Sequence, residues 1–559
     1  MIRQTILLTL LVLTSAFAAD AVSNSGDTPR KMSPKVDAEA RAFWAFQRPK
    51  RPEIPATRQS EWVRNPIDAF VLAKLEAKAL KPAPPASKPA LLRRAYFDLI
   101  GLPPTPAEVD AFVNDRSPTA YATVIDRLLA SPQYGEKWGR HWLDLVRFAE
   151  TNSYERDNPK PNAWRYRDYV IRSLNADKPY DQFVKEQLAG DELPRKEDDY
   201  DPIIATGYYR LGIWDDDPAD RPQARYENLD DLVATTGQVF LGLTVDCARC
   251  HDHKIDPIPQ KDYYRLLSFF QNITDYHNGG AGDEMPILPG PSERENYDQR
   301  EKERNERRKE VEASLHEMVS DFRQLLSGQT GRPPITQDEA AKLIRSEGEK
   351  VLGAERFAKY KELRRELGTF EKSDPTVEKA LCVSERGPVA PDTFVLMRGN
   401  ASVPGAKVEP GFLSVLTESD PVIPKPAPGA KTCGRRTALA NWIASPENPM
   451  TARVMANRVF QYHFGRGIVR SASNFGYQGD APTHPELLDW LATELVANGW
   501  HLKPLHRLIM LSNAYQMACT GDPATAEEAG RIDPQNDLLW HFDLRRLEAE
   551  ELRDAILAV

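Results

Sequence analysis

Cysteine is scarce in this chain, five residues in 559, which excludes a disulfide-knit scaffold. The odd count leaves at least one thiol unpaired. Long apolar runs are missing as well. After the first twenty residues nothing approaches the roughly 20 apolar residues that span a bilayer, so no transmembrane segment is expected. Nor is there an excess of positive charge. Lys plus Arg number 73 against 82 Asp plus Glu, a net charge of −9, and the two signs are interspersed instead of forming a basic stripe. Nucleic acid is therefore excluded as a partner. There is no Walker loop, no G-x-G-x-x-G after a strand, no G-x-S-x-G and no H-E-x-x-H, so the enzyme classes built on those motifs lose their basis.

What is present begins at the N-terminus. Arg3 is followed by the apolar stretch Ile6 to Leu13 and then by Ala16-Phe17-Ala18, the layout of a signal peptide cleaved after residue 18. Export to the periplasm, cell surface or extracellular space is the expectation. The 41% hydrophobic and 28% charged content is that of an ordinary globular chain of this length, large enough for several domains.

Periodicity divides the rest. Residues 19–60 read as a flexible, then extended, aromatic and proline-rich arm. From Asn65-Pro66-Ile67-Asp68 to about 275 the apolar spacing is helical, as in Ile67, Phe70, Val71 and Leu75. Over 290–372 the chain is dense in Glu, Arg and Lys, with Val311, Leu315, Met318, Phe322 and Leu325 at helical spacing and a second such stretch after a break at 328–334. This predicts a long antiparallel helical hairpin with solvated faces. Residues 376–430, around Thr393 to Met397, predict a small β-containing module. Helical spacing returns over 435–559 and continues to Val559, which suggests a truncated domain. The fold class is mainly α: a multi-helical body with a charged helical hairpin and a small β-containing module.

The chemistry-bearing motif is Cys247-Ala248-Arg249-Cys250-His251. Two thiols three positions apart, followed at once by an imidazole, suit covalent addition across both haem vinyl groups with the histidine on the iron. Cys247 and Cys250 would be the anchors and His251 the haem-iron ligand. Sixth-ligand candidates are His277, Met285 and Met397. The same segment supports two alternatives. Cys247, Cys250, His253 and Asp256 could hold zinc, or Cys247 and Cys250 could form a structural or redox-active disulfide.

A second constellation lies around Trp142. Arg140, Asp144, Arg147 and Thr151 fall at helical spacing, with Glu150 beyond, and an arginine-flanked carboxylate stays ionised and can orient a general base or a sugar hydroxyl. Asp144, Arg147 and Glu150 are thus the catalytic candidates, set against a plain salt-bridge stripe. Trp164 to Asp168 has a similar character. Arg453, Asn457 and Gln461, with Arg458 and His463 nearby, form a polar helical face suited either to an anion or glycan or to interhelical packing.

Several runs together resemble a known family. Asn65 to Val71, Asp98 to Pro106, Tyr134 to Asp144, Asn162 to Tyr169 and Cys247 to Tyr264 resemble the first of two paired domains of unknown function in planctomycete-type secreted, cytochrome c-like proteins. Arg436 to Ala440, Asn457-Arg458-Val459, Phe464 to Gly467 and His484 to Trp490 are similar to the second. Many relatives add an N-terminal cytochrome c domain, which this sequence lacks, and continue past the position of Val559. The resemblance implies a link to polysaccharide use and extracytoplasmic electron transfer, with no assigned reaction and no role for any residue. The expectation is an exported electron-transfer protein with haem c and a redox-partner protein or polysaccharide-related substrate. The alternative is a non-catalytic glycan- or protein-binding scaffold holding zinc, a disulfide or no cofactor; a hydrolase using Asp144 or Glu150 is a third.

Overall fold

The computed structural model describes residues 35–275, 284–288, 290–330, 335–370, 377–426, 428–521 and 523–558. The expected signal peptide lies outside the described residues, as does His277. Helix accounts for 55% of the chain and strand for 4%: a mainly α protein with a small β component.

Local sequence sets the helix ends. Asn65 caps the helix Pro66–Ala77 by accepting from the Ile67 N–H at 3.1 Å, while Asp68 reaches back to the Asn65 N–H. Thr105 and Glu108 form the same reciprocal box at the start of Pro106–Asn114, with distances of 2.9 and 3.3 Å. The preceding helix, Lys88–Ile100, stops at Gly101, whose φ of 69° is left-handed and open to glycine without strain.

A single hydrophobic core runs through Phe46, Leu92, Trp142, Phe240 and Phe270, then Leu396 and Val408, and on to Val459, Leu491 and Phe542. The two helical segments and the β strands therefore share one interior, although they are separated along the chain. The N-terminal arm joins them. Phe43 packs edge-on against Tyr477 with centroids 4.7 Å apart, and Trp44 lies 5.6 Å from Phe475.

The charged segment has its own core. Pro291–Thr330 is a helix of 40 residues, and Val311, Leu315, Phe322 and Leu326 on one stripe face Ile344, Phe357 and Leu363 of the return arm. That arm is two helices, Gln337–Leu352 and Ala354–Phe370, where the sequence pattern suggests one stretch. The break falls at Gly353, with φ 85°. The strands form two antiparallel pairs, Glu284–Pro286 with Lys379–Leu381 and Thr393–Leu396 with Pro404–Val408. No helix among the described residues is long and apolar enough to cross a membrane.

Candidate functional site

The Cys-x-x-Cys-His segment sits on a tight turn with a braced underside. The helix Arg221–Thr236 continues to Leu241 and ends at Gly242, with φ 58°. The short turn Val245–Arg249 follows. Its Val245 and Ala248 are buried, whereas Cys247 and Cys250 are exposed free thiols. The bridged form, one of the three expectations, is therefore not what the structure holds. Asp252 caps the helix Gln260–Leu267 by accepting from the Gln260 N–H at 2.8 Å. Gln260 in turn donates to the Arg249 and Leu396 carbonyls at 2.9 and 3.1 Å, and the Tyr264 hydroxyl donates to Arg249 at 3.0 Å. Beneath them the Arg249 guanidinium and the Tyr263 hydroxyl both donate to Asp230.

The three reactive groups of the motif differ in their surroundings. Burial, and then the carboxylates of Asp246, Asp256 and Asp230, push the Cys247 thiol up, so it stays protonated. His251 is exposed, and its Nδ1 lies 2.6 Å from the Asp252 carbonyl. A carbonyl only accepts, so Nδ1 carries the proton and Nε2 keeps a free lone pair. His253 is buried with the opposite tautomer. Its Nδ1 accepts from the Asp256 and Ile255 N–H groups at 2.7 and 3.2 Å, which leaves the proton on Nε2, 3.7 Å from Asp256 Oδ2. Nδ1 of His253 is thus committed to the backbone, whereas Nε2 stands beyond hydrogen-bond reach of Asp256. Among the described residues no three His, Cys, Asp or Glu side chains are gathered as a metal-binding group, and Cys247, Cys250, His253 and Asp256 are not brought together as one. Asp246 Oδ1 and Asp256 Oδ2 are nevertheless buried without a hydrogen-bond partner. Of the sixth-ligand candidates, Met285 is half-buried in its strand. Met397 is 55% exposed, beside Gly399, whose Cβ position lies 3.0 Å from Cys250 Sγ.

Two family models match the chain, each described as a protein of unknown function: DUF1549 over residues 66–275 and DUF1553 over residues 435–559. The chain carries both paired domains. No curated protein and no solved structure matches it.

The motif belongs to the first paired domain but leans on the second. Asp256 Oδ1 accepts from the Tyr477 N–H at 2.6 Å, and the Gly242 carbonyl accepts from the Phe475 N–H at 2.7 Å. A Cβ on Gly476 would fall 2.5 Å from Asp256 Oδ2, so only glycine lets the second domain close on this carboxylate. Gly476→Ala is expected to cost about 1–3 kcal/mol through overpacking and to speed amide exchange across 247–256. Unchanged exchange there would show that the contact does not hold the motif.

The candidates around Trp142 are dispersed. The helix Pro132–Leu145 ends before Arg147, which adopts a left-handed φ of 60°. The helical spacing that joins Arg147 and Thr151 to Asp144 therefore does not exist in space. Asp144 pairs with Arg140 on an exposed face, Glu150 lies 3.4 Å from Arg167, and Arg147 turns inward to Asp231 at 2.7 Å. Arg165 covers the Trp164 ring at 4.3 Å. In the second domain Asn457 is sealed against Val469 by two hydrogen bonds of 2.8 and 2.9 Å, and Arg453 pairs with Asp489 at 2.6 Å. Those two polar side chains serve packing.

Sequence spacing places His463 near the polar face but misses the buried chain to which it belongs. The rings of His463 and His506 join through Nε2 and Nδ1 at 2.9 Å, and His463 Nδ1 lies 3.6 Å from Asp98, which also accepts from the Tyr515 hydroxyl at 2.7 Å and from Arg545. Asp98, His463 and Tyr515 come from both domains. The only local signal is that polar residues occupy core-facing positions on otherwise apolar stripes.

Proposed function

We propose that the protein is an extracytoplasmic haem carrier whose role is electron transfer, with Cys247 and Cys250 as thioether anchors and His251 as the iron ligand. One observation supports this above the others: the motif presents two free, exposed thiols beside an imidazole whose Nδ1–H is tied to the Asp252 carbonyl, leaving Nε2 to ligate. With haem attached, Cys247 and Cys250 would each hold it through a thioether, the S–H having added across one vinyl C=C with sulfur on one carbon and hydrogen on the other. When bound, haem supplies one-electron redox chemistry. The chain's own part is to hold the three groups on a turn that Gln260, Tyr264 and the Arg249–Asp230 pair keep rigid. The family resemblance ties this role to sugar or polysaccharide metabolism outside the cytoplasm, with a redox protein as partner.

The protein exported from a host with cytochrome c maturation is expected to carry a covalent haem-staining band after denaturing electrophoresis, lost or sharply reduced in Cys247→Ala. A colourless band sinks the proposal. A second reading, a binding scaffold with a structural cation, draws on the two unpartnered buried oxygens of Asp246 and Asp256 beside Cys247. A colourless protein with stoichiometric zinc, depleted in Asp256→Asn, would favour it.

A further inference from the structure

The paired domains enclose a cavity of about 550 Å3, within the range of small-molecule sites. None of its lining residues belongs to the motif segment 245–264. Helices Lys88–Ile100 and Pro132–Leu145 of the first domain supply one wall; Gln461, Tyr462 and the stretch from Phe542 to Glu551 supply the other. The site is complete only when both domains are present.

Five cationic side chains line the cavity against four carboxylates. The carboxylates that line it are each taken: Asp98 by Arg545, Asp543 by Arg466 at close range, and Glu548 and Glu551 by Lys137 at 2.7 and 2.8 Å. Arg93, Arg94 and Arg546 line the same cavity, and none of the three has a carboxylate partner among the described residues. Two of them are held in place. The Arg93 guanidinium lies over the Phe97 ring at 4.5 Å and that of Arg94 over Phe542 at 3.5 Å. A guanidinium stacked on a ring keeps its N–H donors in the plane, pointing away from the aromatic face. Arg94 spends part of its fork on the Tyr515 and Met517 carbonyls. Arg93 and Arg546 are exposed and keep theirs.

We infer that this interdomain cavity binds a small organic molecule bearing oxyanion groups, held by Arg93, Arg94 and Arg546. Three cations at the wall of one concave site concentrate positive potential there, and planar forks match carboxylate, sulfate and phosphate oxygens bidentately. The volume exceeds that of one inorganic anion, so the ligand carries an organic frame with two or more anionic groups.

The test is titration calorimetry of the full chain with citrate as a polycarboxylate probe, and with inorganic phosphate and sulfate, at constant ionic strength set by chloride. Citrate is expected to bind with one site per chain and at least tenfold more tightly than either inorganic anion. The double variant Arg93→Gln/Arg546→Gln is expected to weaken citrate at least tenfold. Both side chains are exposed, so its melting temperature in chloride should match the parent. Tight binding of phosphate alone, lost in the double variant, would keep the oxyanion site and overturn the multi-anion ligand. No binding above chloride, or binding that the double variant leaves intact, overturns the proposal. A failure of haem attachment at Cys247 does not move these readouts.

Discussion

Arg436→Met is expected to remove about 3–5 kcal/mol of stability, the cost of breaking a buried ion network by deleting one partner. Arg436 is fully buried, and its guanidinium meets three carboxylates: Asp191 at 2.6 Å, Glu192 at 3.3 Å and Glu385 at 2.7 Å. The three carboxylates come from two stretches, and the guanidinium from a third. Asp191 and Glu192 follow the helix Tyr180–Ala189, Glu385 follows the strand Lys379–Leu381, and Arg436 stands in the helix Arg435–Ile443. Burial works against the charge on Glu385, yet Arg436, the Cys433 N–H and Asn272 hold its carboxyl below the usual range; burial pushes Glu192 up. Without the guanidinium, three carboxylates share a dry pocket with no cation.

Arg436→Lys keeps the charge but gives up the planar fork, so its loss should be smaller. Urea unfolding of the three proteins at pH 7.5 measures both. A Met variant within about 1 kcal/mol of the parent would mean that water or protons compensate the carboxylates, and that this network does not lock the first domain to the second.

That network also marks where sequence stops being legible. Signals spanning a few residues translate directly: the Thr105–Glu108 box, the left-handed Gly101 and the stripe Val311, Leu315, Phe322 all lie within one or two turns of the residues they act on. The strand Thr393–Leu396 is legible from its apolar run. Its partner Pro404–Val408 is not, because four of its five residues face solvent. The motif Cys247 to His251 is plain in the sequence, whereas the tautomer of His251 depends on a carbonyl orientation that no spacing reveals. Arg147 misled for a definable reason. Spacing assumes that a helix continues, and this one ends at Leu145. Partners such as Asp231 for Arg147, or Asp98 for His463, are brought together by the shared core and leave no periodic trace.

Lowering the pH from 7 to 5 is expected to cost the protein much of its stability, because burial disfavours the charged form of four of its histidines. His141, His463, His484 and His506 are between 0 and 7% exposed. Burial takes His141 and His484 down to about 3, and His506 well below its ordinary value. His463 is lowered too, since burial outweighs the Asp98 carboxylate 3.6 Å away. In the unfolded chain each takes a proton near pH 6.5; in the folded protein it does not. The unfolded state therefore binds more protons below 6.5, and stability falls as pH falls, from that point down toward the folded values. Each histidine contributes up to about 1.4 kcal/mol per pH unit, at most about 5.6 kcal/mol per unit for the four. A total stability of about 5–15 kcal/mol cannot absorb much of that. Asp68, Asp230 and Glu192, whose carboxyls burial raises, act in the opposite direction and soften the fall at the acid end. Urea unfolding at half-unit steps from pH 7.5 to 5 reads the slope. His484→Gln, away from the His463–His506 pair, should reduce it by about one histidine's share. A change of less than about 1 kcal/mol across that range would mean that the four rings accept protons inside the fold, and that the core opens to water around them.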